Sequence, residues 1–207
     1  MLIVYLVIGF FAAVLSALPL GASNIAVINT TLRENAKQAF KIAITAGVAE
    51  VLLSYYALDC NLVITNFFNT NVWVQTTIII LLILIGSILF FKKQSEKQPK
   101  AFKLTRSKYA TGFVLGILNP PVLIFWVIAF GVLNGSDFML SVTSHFTILF
   151  LFFSGVYLGK LLTLYGYSKI STVIKQKIQN INLIINKVTG VLLVSIGVIQ
   201  SIQLYFA

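Results

Sequence analysis

Six apolar runs of near-bilayer length divide this chain, at about 2–22, 42–58, 72–91, 109–133, 146–168 and 188–206. A helix that crosses a bilayer needs about 20 apolar residues, because the hydrocarbon core is ~30 Å thick. Inside that core every backbone N–H and C=O must be bonded within the protein, so runs of this length are expected as helices. Six of them use nearly all of the 207 residues. The expected fold is therefore an all-α polytopic membrane protein, with six transmembrane helices in one domain spanning 1–207. Composition closes off the alternatives. The chain is 58% hydrophobic and only 10% charged, against about 25% charged in an ordinary soluble domain. Neither a soluble domain nor a disordered chain has this balance. The first run is read as a span. It has no basic segment before it, and it exceeds the ~7–15 apolar residues of a cleaved signal peptide.

The net charge is +10. In a soluble protein that would suggest nucleic acid, but here the basic residues sit between apolar runs and report orientation instead. Fourteen of the 15 fall in alternate connections. Arg33, Lys37 and Lys41 follow the first run. Lys92, Lys93, Lys97, Lys100, Lys103, Arg106 and Lys108 follow the third. Lys169, Lys175, Lys177 and Lys187 follow the fifth. The other connections and both termini carry none. The positive-inside rule then puts the odd-numbered connections in the cytoplasm and both termini outside. The basic linker 92–108 separates two halves, about 1–91 and 109–207. Three spans each way give the halves opposite orientations, which is the arithmetic of a 3+3 inverted repeat. Between the fifth and sixth runs, Ile174, Ile178, Ile181 and Ile185 recur at helical spacing, as expected of an amphipathic helix lying on the inner surface over 171–187.

Two ionisable residues lie inside apolar runs. Glu50 sits in Ala46-Gly47-Val48-Ala49-Glu50-Val51-Leu52-Leu53, and Lys160 in Gly155-Val156-Tyr157-Leu158-Gly159-Lys160-Leu161-Leu162. A charge at the centre of a lipid-facing helix costs at least ~2.5–3.5 kcal/mol, so both should face the bundle interior. Glu50 is roughly 15 Å from the inner end of its run and Lys160 roughly 12 Å, at ~1.5 Å per residue. The depths nearly match, so a pair is geometrically allowed. Two other readings stay open: Lys160 snorkelling to the inner headgroups, and Glu50 as a protonated structural group. The rest of the chemistry is sparse. One cysteine, Cys60, and one histidine, His145, allow neither a disulfide within the chain nor a histidine-cluster metal site. No cofactor, metal or catalytic residue is expected.

A second signal is a pair of helix breaks. The first run ends in Leu18-Pro19-Leu20-Gly21-Ala22-Ser23-Asn24, and the fourth contains Leu118-Asn119-Pro120-Pro121. Proline lacks the N–H that a helix would use and frees carbonyls on the preceding turn. In hydrocarbon those carbonyls must be bonded again or must line a polar cavity. Interrupted helices at corresponding places in two halves point to a transport site near the midplane. Pro19, Gly21, Pro120 and Pro121 are the break residues, and Asn24 and Asn119 are the polar groups beside them.

These motifs resemble a known family. Gly21-Ala22-Ser23-Asn24, Val27, Leu32-Arg33 and Glu50 are similar to the N-terminal signature of the LysE/RhtB amino-acid exporters, which usually reads Pro-Gly-Pro-Asx-Asn before a basic loop and an acidic helix. Gly112-Phe113-Val114-Leu115-Gly116-Ile117-Leu118-Asn119-Pro120 with Phe125 resembles the second signature, and Gly190-Val191-Leu192-Leu193-Val194-Ser195-Ile196-Gly197 fits the ending. Leu20 and Ala22 replace both prolines of the first motif, Pro121 stands where a lysine often follows Asn-Pro, and Glu50 stands where aspartate is commoner. Lys160 matches no family motif. The resemblance implies an efflux permease of the inner or plasma membrane, driven by the proton-motive force. Its expected partners are a small-molecule substrate (an amino acid or derivative), protons and the lipid bilayer, with a homodimer left open and nucleic acid excluded. Glu50, Lys160, Asn24 and Asn119 are the expected pathway residues.

Two other classes compete with this reading. An intramembrane hydrolase would need Ser23 and His145 within hydrogen-bond reach, about 3 Å, yet they belong to opposite ends of the bundle. A non-transporting scaffold would tolerate Ala or Leu at Glu50.

Overall fold

The computed structural model describes residues 2–18, 21–91, 107–134 and 138–173, together with 187, 190, 191, 194, 195, 197–202, 204 and 205. All regular structure among them is helical: α1 Leu2–Ala17, α2 Ala22–Arg33, α3 Ala36–Thr70, α4 Val72–Phe91, α5 Lys108–Ile117, α6 Pro120–Asn134 and α7 Phe146–Val173. Within α3, Ala36–Cys60 is long and apolar enough to cross a membrane, and so is Phe146–Thr172 within α7. Two further spans arise if each bent pair, α1 with α2 and α5 with α6, is one crossing. In α4 the apolar helix Gln75–Ile88 is shorter. Seven of the 19 residues of the sixth run, and all of the expected amphipathic helix beyond Val173 except Lys187, lie outside the described residues.

α1 shows how a membrane helix differs from a soluble one. Its exposed stripe is the bulky one, Ile3, Val7, Phe11 and Leu15, while Gly9, Ala13, Ser16 and Ala17 are buried. Lipid is as apolar as leucine, so helices associate through close backbone approach at small residues. A Cβ added at Gly155 would lie 2.1 Å from the Leu6 carbonyl oxygen, and one at Gly9 would lie 2.2 Å from that of Phe152. α1 and α7 therefore pack backbone to backbone. α5 approaches α3 the same way, since a Cβ at Gly112 would lie 2.2 Å from the Ile42 carbonyl oxygen.

The breaks have local causes. Leu18, the first residue after α1, precedes Pro19, and the α region is disfavoured before proline. Its N–H still reaches the Val14 and Leu15 carbonyls at 3.1 and 3.3 Å. α2 then leaves at 74° to α1. The stretch 23–41, expected as a loop, is mostly helical. Val27 is buried and the Thr31 hydroxyl caps the Val27 carbonyl at 2.9 Å. Between α5 and α6 the bend is 53°. Pro120 and Pro121 occupy the first turn of α6, where their missing N–H groups have no partner to lose. The Asn119 carbonyl accepts from Val122 and Leu123 at 3.0 and 3.2 Å.

The chain forms two compact units, 1–62 with 99–175 and 63–98 with 176–207. The division cuts across the two sequence halves, since each unit takes matching segments from both. The first unit holds α1, α2, most of α3, α5, α6 and α7, and two apolar clusters. One contains Ala13, Leu53, Ala57, Leu58, Val122, Trp126, Phe130, Leu140, Phe152 and Val156, and the other Val27, Ala39, Ile42, Ala43, Ala46 and Leu164. In the second unit Gly86 and Gly190 meet: a Cβ at Gly190 would lie 2.6 Å from the Gly86 carbonyl oxygen.

Candidate functional site

Both intramembrane charges belong to the buried stripes of their helices. On α7 the buried positions recur one turn apart: Phe152, Val156, Lys160, Leu164 and Ser168. On α3 they are Ala39, Ala43, Ala46, Glu50, Leu53 and Ala57. Each charge sits 14 residues into its span, Ala36–Cys60 or Phe146–Thr172, which is about 21 Å at ~1.5 Å per residue. The Lys160 Nζ lies 2.9 Å from Glu50 Oε2, and each residue is 1% exposed. Lys160 thus turns inward to a partner and does not snorkel.

The second carboxylate oxygen is also held. Glu50 Oε1 accepts from the Ser16 hydroxyl of α1 and from Trp126 Nε1 of α6, the latter at 3.1 Å. Four helices, α1, α3, α6 and α7, converge on one carboxylate. A buried charge is tolerated only where a counter-charge and hydrogen bonds replace water, and this cage provides both. Ser16 has a second acceptor, the Ala13 carbonyl at 2.9 Å. A hydroxyl has one proton to donate, so Ser16 can serve either acceptor but not both with full strength.

The two helix breaks adjoin this cage. Asn24 Nδ2 donates to the Ala17 carbonyl at 2.7 Å, restoring a partner to the end of α1. Ser23 donates to Asn24 Oδ1 at 3.3 Å. Tyr167 of α7 donates its hydroxyl to the Leu18 carbonyl at 2.8 Å. A Cβ at Gly21 would lie 3.2 Å from Asn119 Nδ2, so the first break and the second touch there. Pro120 and Pro121 are exposed. Pro19 lies outside the described residues. The structure thus brings together Glu50 with Lys160, and Asn24, Gly21 and Asn119 with the end of α1.

Sequence reasoning missed Ser16 and Trp126. The available signals were Ser16 on the small face of α1, in register with Gly9 and Ala13, and an indole six residues past Pro120. Ser23 and His145 are far apart. Ser23 is buried beside the first break, whereas His145 is exposed just before α7. Tyr167, bonded to Leu18, is 22 residues from His145, about 33 Å along a helix.

A buried ion pair in the middle of apolar helices, beside paired helix breaks, is the architecture of a polytopic membrane protein that carries solutes. The chain belongs to the LysE-type translocator family, whose profile matches residues 14–203 of the 207. It is a membrane transporter. No curated protein and no solved structure matches it.

Proposed function

We infer that this translocator exports amino acids or related small zwitterionic metabolites across the cell membrane, driven by the proton gradient. The observation that carries this reading is the Lys160–Glu50 ion pair at 2.9 Å. An amino acid bears the same two groups. Its ammonium fits Glu50 and its carboxylate fits Lys160, so a bound substrate exchanges one internal pair for two intermolecular ones. Asn24 and Asn119 supply polar contacts at the breaks, and Pro19, Gly21, Pro120 and Pro121 keep those breaks open to a pathway.

Proton coupling has a candidate atom. When Glu50 takes up a proton it can donate to Ser16, and Ser16 can then donate to the Ala13 carbonyl. The bonded oxygens are unchanged and only the polarity reverses. The charge on Lys160 is then free for a substrate carboxylate. A six-span inverted repeat accommodates this scheme. It is supported by the bends in both halves and by compact units that draw matching segments from each half. In this arrangement both termini are extracytoplasmic and the linker 92–108 is cytoplasmic. The transporter works as a single transmembrane domain, with homodimerisation compatible but not required.

The test is efflux of labelled amino acids from proteoliposomes with and without an imposed proton gradient. Wild-type protein should accelerate efflux of at least one amino acid when the gradient is present. Glu50→Gln, compared at equal amounts of reconstituted protein, should lose the gradient-dependent part. Gradient-driven efflux at wild-type rate in both Glu50→Gln and Glu50→Ala would show that the residue is structural.

A further inference from the structure

The ion pair has two unlike flanks. Toward the start of α7 it is covered by Trp126, Phe130 and Phe152, each 0% exposed. Their rings form a closed triangle with centroid separations of 5.5 Å for Trp126–Phe130, 6.1 Å for Trp126–Phe152 and 5.6 Å for Phe130–Phe152. Leu53, Ala57 and Leu58 of α3 belong to the same cluster. Toward the end of α7 the flank holds no aromatic ring in its buried cluster: it is Ala39, Ile42, Ala43 and Ala46 with Val27 and Leu164. Beyond them the Thr31 and Ser168 hydroxyls bond at 2.8 Å. One flank is aromatic, the other aliphatic and partly hydroxylic.

Trp126 belongs to both the triangle and the ion-pair cage. Its ring is one side of the triangle, and its N–H holds Glu50 Oε1. It cannot swing away without leaving a buried carboxylate oxygen short of a donor, which is costly in low dielectric.

We propose that Trp126, Phe130 and Phe152 form the gate that closes one side of the pathway, and that the Trp126–Glu50 hydrogen bond latches it. The proposal rests on the transport reading only in treating the sealed space as a pathway. Phe130 and Phe152 act by bulk. Three close-packed rings leave no room for water between them, and no solute of amino-acid size passes without a ring rotating out. Trp126 acts by bulk and by bonding. When a proton or a substrate ammonium satisfies Glu50 Oε1, the indole loses its strongest reason to stay. Gate opening is thereby tied to occupancy of Glu50, so the ion pair is not exposed from that side while it is empty and charged. The flank that carries the Thr31–Ser168 hydroxyl pair is the side from which this conformation is approached.

The experiment uses the full chain with Cys60→Ala and Val156→Cys. Val156 is fully buried and one helical turn from both Phe152 and Lys160. The protein is reconstituted in liposomes and a small, impermeant methanethiosulfonate reagent is added to each face in turn. A buried thiol reacts only through opening events, so Phe152→Ala and, separately, Phe130→Ala should raise the labelling rate by about tenfold or more. The increase should appear with reagent on the face where α7 begins. Trp126→Phe should raise it as well, because a ring remains but the latch is gone. A smaller increase in either alanine variant, no increase in Trp126→Phe, or acceleration only from the opposite face overturns the proposal. Phe152→Leu and Phe130→Leu, which keep an apolar side chain, replace any alanine variant that is not monodisperse and are judged by the same criterion. Labelling needs no substrate. A wrong substrate class leaves this result standing, and a failed gate leaves the export reading standing.

Discussion

Ser16 and Trp126 meet at a single atom: both donate to Oε1 of Glu50, from helices α1 and α6. Oε2 is left to Lys160. The carboxylate is thus a junction at which movement of any one helix is felt by the other three, which is the property that a coupling residue requires.

Trp126→Phe separates the hydrogen bond from the ring. A hydrogen bond to a charged group contributes about 1.5–3 kcal/mol. The variant should be destabilised by about that amount in detergent unfolding, and substrate counterflow should fall with it. Stability and counterflow both equal to wild type would remove Trp126 from the account.

The backbone contact between α1 and α7 predicts a sharp contrast between two glycines of one helix. At Gly155 a Cβ would lie 2.1 Å from the Leu6 carbonyl oxygen, while at Gly166 nothing lies within 4 Å. Gly155→Ala should cost about 1–3 kcal/mol through overpacking. Gly166→Ala should be neutral or stabilising by up to ~1 kcal/mol through helix propensity. Thermal unfolding of the two variants side by side checks the direction. Equal effects would mean that α1 and α7 do not pack this closely.

The charge asymmetry of the connections predicts the topology. With Cys60→Ala as background, Ser95→Cys should be protected from an impermeant thiol reagent in intact cells, and Ser136→Cys should be labelled. The reverse pattern would invert the orientation.

Much of this site is legible in the sequence because an intramembrane charge is expensive. Glu50 and Lys160 stand out against apolar neighbours, and their similar depths along the two runs already permit a pair. Ser16 and Trp126 do not stand out, since a hydroxyl and an indole cost little in a membrane helix and carry no burial signal of their own. Helix boundaries follow hydropathy only loosely. The apolar run at 42–58 lies inside the longer α3, whose start is set by the Asn35 side chain, which accepts from Gln38 N at 2.9 Å. α2 is hidden for the opposite reason. Ser23, Asn24, Thr30 and Thr31 read as a polar connection, but Val27 is buried and Thr31 bonds Ser168 of α7. Those contacts are tertiary, and no local pattern reports them.

The central claim is that Glu50 and Lys160 depend on each other, and a double-mutant cycle on detergent-solubilised protein measures that dependence. Breaking a buried pair by removing one partner costs about 3–5 kcal/mol, whereas replacing both can be nearly neutral. Lys160→Met alone should therefore destabilise far more than Lys97→Met in the linker. Glu50→Gln with Lys160→Met should be more stable than the sum of the single changes allows, by about 3 kcal/mol or more, while still failing to couple efflux to protons. A coupling energy of zero within error would contradict the account, leaving Glu50 to act alone and Lys160 without a role in the site.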